Sequence, residues 1–322
     1  MHRISAEAIE PGSHIGIAAP STVIEKDFLI RGSEKLASWG FTVSFDERVL
    51  RKHRSFAGND LDRAEVLKNL VCDSAVRAIW CARGGYGVTR ILSLLDKMKI
   101  PALMAQDPKL LIGYSDITAL HLYFYQSIGL KSLHAPLMAT PTWMKISSSR
   151  ARLLCKILAG KMLLGAKSHS TRWPTKWLSA PKLKGKTAIE GIVLGGNLTL
   201  IANLAGTKWQ PSLRGAILFI EDCGEAPYRI DRMLTQIRNA GMLDGVRAVI
   251  CGDLTADVSL KYGEKRTAWK EVLQDCLASH GIPVLIGAPV GHGKQNEPLP
   301  LGVRTRITRA GKLEFLEQVV SI

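Results

Sequence analysis

Through residues 14–129 the chain alternates short apolar runs with stretches of helical spacing. HIGIAAPS (14–21), FTVSFDE (41–47), VRAIWCARGGYG (76–87) and KLLIGYSD (109–116) read as strands that stop on small or polar residues. Between them lie DFLIRGSEKLASWG (27–40), DLDRAEVLKNLVCDS (60–74) and VTRILSLLDK (88–97), and ITALHLYFYQSIG (117–129) follows, each with the pattern of a helix. The second of these opens with acids, which suits the positive end of a helix dipole. Strand–helix alternation of this kind demands a mostly parallel, doubly wound sheet covered on both faces, because each crossover helix must pack back on the sheet. Such sheets place their sites beyond the carboxyl ends of the strands.

From about residue 140 the rhythm changes. TPTWMKISSSRARLLCKILAGKMLLG holds one helix, and SHSTRWPTKWLSAPKLKGKT reads as linker or long loop from its Ser, Thr, Pro and Lys content. Order resumes at AIEGIVLGGNLTLIANLAGT and continues through GAILFIED, RIDRMLTQIRNAG, RAVICGD, TAWKEVLQDCLASHG and IPVLIGAPVG to the β-like VRTRITRAG and KLEFLEQVV. The expected organisation is a nucleophile domain over 1–145, a basic linker and variable segment over 146–186, and a smaller α/β domain with β-rich elements over 187–322.

Charge narrows the partners. The chain of 322 residues carries a formal net charge of +15. No acidic residue occurs between Asp116 and Glu190, a stretch holding Lys131, Lys145, Arg150, Arg152, Lys156, Lys161, Lys167, Arg172, Lys176, Lys182, Lys184 and Lys186. Such a segment is a solvated linker or an attractor of polyanions. Nucleic acid is disfavoured, because no known binding motif and no regular interleaving of aromatics accompanies the basic residues. The N-terminal MHRISAEAIEPGSH lacks a signal-peptide core, and no run approaches membrane-spanning length. The expectation is a soluble, cytoplasmic protein without a membrane partner. Six scattered cysteines with no C-x-x-C pair fit reduced, buried thiols and leave no zinc spacing.

Three polar groups each follow an apolar run. Ser115 follows LLIGY, Glu221 follows AILFI, and His292 sits in GHG after IPVLIGAPVG. Each has a plain structural reading. Ser115 and Asp116 are favoured helix N-caps. Glu221 or Glu225 suits the start of a helix near Pro227, and a loop histidine ordinarily makes a structural hydrogen bond. Together they supply a nucleophile, a general base and an orienting acid. Ile117 breaks the G-x-S-x-G elbow pattern, so the pattern alone does not decide. RGGYG (83–87) offers open backbone N–H groups for an oxyanion, and the amide of Asp116 follows the serine directly. RGGYG matches neither a Walker loop nor G-x-G-x-x-G.

In order along the chain, GIAAPS, FAGNDLDRAEVL, RGGYG, IGYSDIT, HAPLM, GGNLTLIANLAGT, LFIEDCGEAPYRIDRML, GHG and LPLG resemble the LD-carboxypeptidase family of serine peptidases. That family includes muramoyl-tetrapeptide carboxypeptidases and microcin C immunity proteins. The resemblance implies a first domain like class I glutamine amidotransferases and a smaller second domain carrying acid and histidine. It puts the catalytic triad on Ser115, Glu221 and His292, with oxyanion donors on the backbone of Gly85 and Asp116. It implies cytoplasmic homodimers that use no metal and no cofactor. Glu225 then neighbours the acid, and Arg83, beside the hole, is a candidate for orienting substrate carboxylates.

The expected reaction is release of the terminal D-alanine from muropeptide tetrapeptides through a Ser–His–Glu acyl-enzyme, in peptidoglycan recycling. One alternative is a microcin C-type hydrolase of aminoacyl-nucleotide conjugates, with Trp173 and Trp177 either stacking on a base or packing the variable segment against the body. Another is a nonenzymatic binding protein for cell-wall fragments or nucleic acid.

Overall fold

A computed structural model of the chain describes residues 2–162, 169–181, 187–255, 265 and 268–322. It divides into two compact units. One comprises Met1–Leu164, Pro298–Gly302 and Gln318–Ile322, the other Gly165–Glu297 and Val303–Glu317. The fold is mixed α/β with one sheet in each unit.

The first unit is built on a six-stranded sheet in the order Leu299–Leu301, Ser132–His134, Leu110–Gly113, Val76–Cys81, His14–Ala18, Thr42–Phe45. All neighbours are parallel except the first pair. The order reverses between His14–Ala18 and Val76–Cys81, which makes their carboxyl ends the switch point of the sheet. The inner strands are buried, with Ile15, Ile17, Ile79, Leu111 and Ile112 fully enclosed, whereas the edge strand Thr42–Phe45 is exposed to half-buried. Trp80 packs edge-on against Trp143 at 5.0 Å and donates its indole N–H to the carbonyl of Pro136 at 2.9 Å. Helix Asp60–Cys72 begins with a capping box in which Asn59 and Asp62 satisfy each other's backbone amides. The strand Leu299–Leu301 departs from expectation. LPLG lies far along the chain from the first domain, yet it pairs antiparallel with Ser132–His134. Pro300 is tolerated there because the strand is at the sheet edge.

The second unit holds an eight-stranded sheet. Its centre is four parallel strands, Ala188–Asn197, Ala216–Glu221, Ala248–Cys251 and Val284–Ile286. Antiparallel strands flank them: Arg304–Thr308, Leu313–Phe315 and His169–Ser170 on one side, Lys176–Ser179 on the other. Part of the stretch read as linker is therefore sheet edge. Its pattern is irregular because an edge strand takes its order from the partner it pairs with. Trp177 donates its indole N–H to the carbonyl of Arg309 at 3.0 Å, and Trp173 meets Phe315 edge-on at 6.4 Å. Both tryptophans thus pack within this unit.

The acid-free stretch is not one solvated face. Lys131 is buried and donates to the carbonyl of Gln318 at 3.1 Å. Lys161 pairs with Glu10 at 2.9 Å, and Arg150, Arg152 and Lys156 lie on helix Ser148–Leu158. Lys167, Lys182, Lys184 and Lys186 lie outside the described residues. None of the six cysteines is in a disulfide. Cys81, Cys251 and Cys276 are buried, whereas Cys72 is exposed, contrary to a uniformly buried set. Among the described residues no helix is long and apolar enough to cross a membrane.

Candidate active site

In the first unit Ser115 stands where strand Leu110–Gly113 ends and a single 3-10 turn, Ser115–Ile117, leads into helix Thr118–Ile128. Its φ is +64°, a left-handed conformation that a side-chain-bearing residue adopts at a cost of order 1–3 kcal/mol. The strain holds the serine on a sharp strand-to-helix turn, at the positive end of the helix. The N-cap residue of helix Thr118–Ile128 is Ile117, whose side chain makes no capping hydrogen bond. Asp116 is buried and turns its carboxylate elsewhere. Oδ2 accepts the Ser21 hydroxyl at 2.6 Å and the backbone N–H of Val88 at 3.0 Å. It thereby caps a different helix, Val88–Lys97, whose own N-cap is Gly87. Burial pushes the Asp116 carboxyl up, while those hydrogen bonds and the Arg63 guanidinium oppose the shift.

The RGGYG turn lies against this serine. A Cβ on Gly84 would come within 2.9 Å of Ser115 Cβ and 3.1 Å of its Oγ, so only glycine lets the backbone approach the hydroxyl this closely. Gly85 is exposed and has φ +104°. Arg83 is exposed and donates to the carbonyl of Val23 at 3.2 Å. Arg63, a residue the sequence did not single out, is buried and donates through Nη1 to the carbonyls of Pro20 at 2.5 Å and Gly87 at 2.9 Å. It also pairs with Asp60. The turns after three parallel strands are thus tied together by Ser21, Arg63 and Asp116. Asp116 was visible in the sequence as a polar residue after an apolar run; its contacts with Ser21 and Val88 were not.

In the second unit Glu221 ends strand Ala216–Glu221 and is fully buried. Its Oε2 accepts a hydrogen bond from His292 Nδ1 at 2.7 Å. A Cβ on Gly291 would lie 2.6 Å from that oxygen, and the residue has φ +115°. Glycine beside the histidine is what allows the loop to close on the acid. Burial pushes the Glu221 carboxyl up, and the hydrogen bond from His292 counters it. Burial works against charge on His292, but hydrogen bonds with Cys223 and Glu221 outweigh it and push the imidazole up, to about 10. The pair is an imidazole made more basic by its hydrogen bonds with Cys223 and a buried carboxylate, with Nδ1 turned to the acid. Glu225 pairs instead with Arg229 at 3.4 Å, one helical turn along. Cys223 was not anticipated beyond its place among scattered thiols. Asp222 accepts from Asn197 Nδ2 at 2.9 Å and from Thr199 N at 2.8 Å, fixing the strand end from which Glu221 projects.

Among the described residues no group of three or more His, Cys, Asp or Glu is arranged to hold a metal ion.

These two sites sit on a chain with clear relatives. The LD-carboxypeptidase N-terminal domain model matches residues 15–135, and the C-terminal domain model matches residues 190–307. The chain belongs to the LD-carboxypeptidase family. Within that family it is 30% identical to the murein tetrapeptide carboxypeptidase of Pseudomonas aeruginosa over 304 residues, covering 94% of each chain. A muramoyltetrapeptide carboxypeptidase from Oxalobacter formigenes superposes with a TM-score of 0.76 at 30% identity, over 94% of this chain and 98% of the other. The microcin C7 self-immunity protein in complex with aspartyl sulfamoyl adenosine superposes with a TM-score of 0.84 at 28% identity, over 99% and 100%. Ser115, Gly85 and Asp116 of this family member fall inside the matched N-terminal domain, and Glu221 and His292 inside the matched C-terminal domain.

Proposed function

We propose that the protein is a serine LD-carboxypeptidase that removes the terminal D-alanine from muropeptide tetrapeptides. The observation that carries this reading is Ser115 itself. A family member with a serine held at φ +64° on a strand-to-helix turn, against a glycine backbone, has the local geometry of an acyl-transfer nucleophile. The relatives named for murein and muramoyl tetrapeptides support the substrate class.

In this mechanism Ser115 Oγ attacks the carbonyl carbon of the scissile amide. Nε2 of His292 takes the hydroxyl proton, and Glu221 steadies the resulting imidazolium through Nδ1. The N–H groups of Gly85 and Asp116 bind the oxyanion, each donor being worth about 3 kcal/mol of barrier. His292 then protonates the leaving amine of D-alanine. Water, deprotonated by the same imidazole, hydrolyses the acyl-enzyme and restores the serine. Arg83 orients a substrate carboxylate. The reaction belongs to peptidoglycan recycling by a cytoplasmic homodimer.

The test is mass spectrometric. The protein and its Ser115→Ala variant are incubated with a muropeptide tetrapeptide without added metal. Loss of one D-alanine with the unmodified protein alone is the expected result. Equal release by both would overturn the serine mechanism, and release by neither would overturn the substrate.

A second reading has one observation in its favour. The microcin C7 self-immunity protein was solved with an aminoacyl nucleotide analogue. Hydrolysis of aminoacyl-nucleotide conjugates uses the same attack on a carbonyl. Trp173 and Trp177 are engaged in packing here, which leaves the peptide reading ahead.

A further inference from the structure

The peptide bond between Gly84 and Gly85 has a partner that the catalytic scheme above does not use. Thr22, in the turn after strand His14–Ala18, donates its hydroxyl to the carbonyl of Gly84 at 2.6 Å. Its backbone N–H reaches the same oxygen at 3.3 Å. A trans peptide is planar, with its C=O and N–H pointing in opposite directions. Pinning the Gly84 carbonyl toward Thr22 therefore aims the Gly85 N–H away from Thr22. A glycine–glycine peptide has little intrinsic preference for either orientation, because both flanking residues lack a Cβ. Something outside the turn must choose.

Thr22 is well built for that choice. A Cβ on Gly85 would meet Thr22 Cγ2 at 2.5 Å and Oγ1 at 2.8 Å, so the threonine side chain lies against the peptide it bonds. Its neighbours on the chain are anchored. Ser21 donates to the Asp116 carboxylate at 2.6 Å, and the carbonyl of Pro20 accepts from buried Arg63 at 2.5 Å. The segment 20–22 therefore touches the turns that carry both candidate oxyanion donors, Gly85 through Thr22 and Asp116 through Ser21.

We propose that Thr22 is a positioning residue for acyl transfer, holding the Gly84–Gly85 peptide in the orientation that presents the Gly85 N–H to the oxyanion. The proposal rests on the serine-hydrolase reading of Ser115. Without the hydroxyl the peptide keeps only the long backbone contact and samples the flipped state, in which a carbonyl rather than an N–H faces the developing negative charge. Ground-state binding of substrate is unaffected, so the loss falls on kcat rather than KM.

The test compares Thr22→Val, Thr22→Ala and Thr22→Ser with the unmodified protein in two assays. The first is the rate at which an alkyl fluorophosphonate labels Ser115, read by intact-protein mass spectrometry, since its phosphoryl oxygen occupies the oxyanion position. The second is steady-state D-alanine release from the tetrapeptide. Thr22→Val and Thr22→Ala are expected to label and turn over roughly ten- to a hundredfold more slowly, below the full effect of deleting a donor. KM should stay within about twofold, and Thr22→Ser should recover most of the rate. Thr22→Ala decides the matter if Thr22→Val does not fold. Labelling of the hydroxyl-free variant at the unmodified rate would overturn the proposal, as would Thr22→Ser as slow as Thr22→Ala. Failure of the unmodified protein to label at Ser115 would overturn it together with the serine mechanism. Normal labelling without D-alanine release would overturn only the substrate.

Discussion

At the scale of single residues, chemistry here is set by what each side chain is denied. Ser115 is denied a relaxed backbone, and Glu221 is denied water. His292 is held by the buried acid and by Cys223, and both raise its proton affinity. That contact leads to a prediction about pH. If His292 is the general base, kcat/KM rises as the imidazole loses its proton, along a limb lying above the ordinary value of 6.5. Replacing Cys223 with alanine removes one of the interactions that raises the imidazole. The limb should then move to lower pH, which a pH profile of D-alanine release measures. A limb unmoved in Cys223→Ala would show that the thiol does not tune the base. The residues themselves were readable in the sequence as polar groups after apolar runs. The pairing of His292 with Glu221 rather than Glu225 was not readable from spacing, because the two acids are four positions apart and only Glu221, at the strand end, is buried.

At the scale of elements, the nucleophile turn and the RGGYG turn are coupled through a carboxylate that serves a helix other than its own. Asp116 was legible as a capping residue, and it does cap; its partner is the N-terminus of Val88–Lys97. Spacing along the chain reveals a local cap, whereas this one depends on which strands become neighbours in the sheet. Replacing Asp116 with alanine strands the Val88 N–H and the Ser21 hydroxyl in the interior. Thermal or urea unfolding should register a loss of about 2–3 kcal/mol. A loss below about 0.5 kcal/mol would mean that water or a local shift satisfies these groups. The strands of the first sheet were legible for the opposite reason. Its inner strands His14–Ala18, Val76–Cys81 and Leu110–Gly113 are buried on both faces and so read as continuous apolar runs. The short edge strands His169–Ser170, Lys176–Ser179 and Leu299–Leu301 carry no such run of their own and are defined by their neighbours.

At the scale of the whole molecule, acid should be the weak side of its stability. His121 is fully buried, its Nε2 hydrogen-bonded with the carbonyl of Gly113 at 3.0 Å, and burial pushes its pKa down to about 4. An unfolded chain binds a proton there near 6.5. Stability from the neutral ring is therefore present above 6.5 and is lost as pH falls toward 4, by about 3 kcal/mol in all. The slope of unfolding free energy between pH 6.5 and 4 measures this. His121→Phe should flatten it, and an unchanged slope would assign the acid sensitivity to other groups.

The strand Leu299–Leu301 and the tail Gln318–Ile322 belong to the same compact unit as Ser115, although the chain builds the other unit in between. A ribosome therefore delivers the nucleophile's sheet in two instalments. Until residue 301 has emerged, strand Ser132–His134 presents a bare edge, the kind of surface that recruits foreign strands. The sheet beneath the serine is finished only after residues 165–297 of the other unit have been made, so a chain interrupted before then carries Ser115 on an unfinished platform.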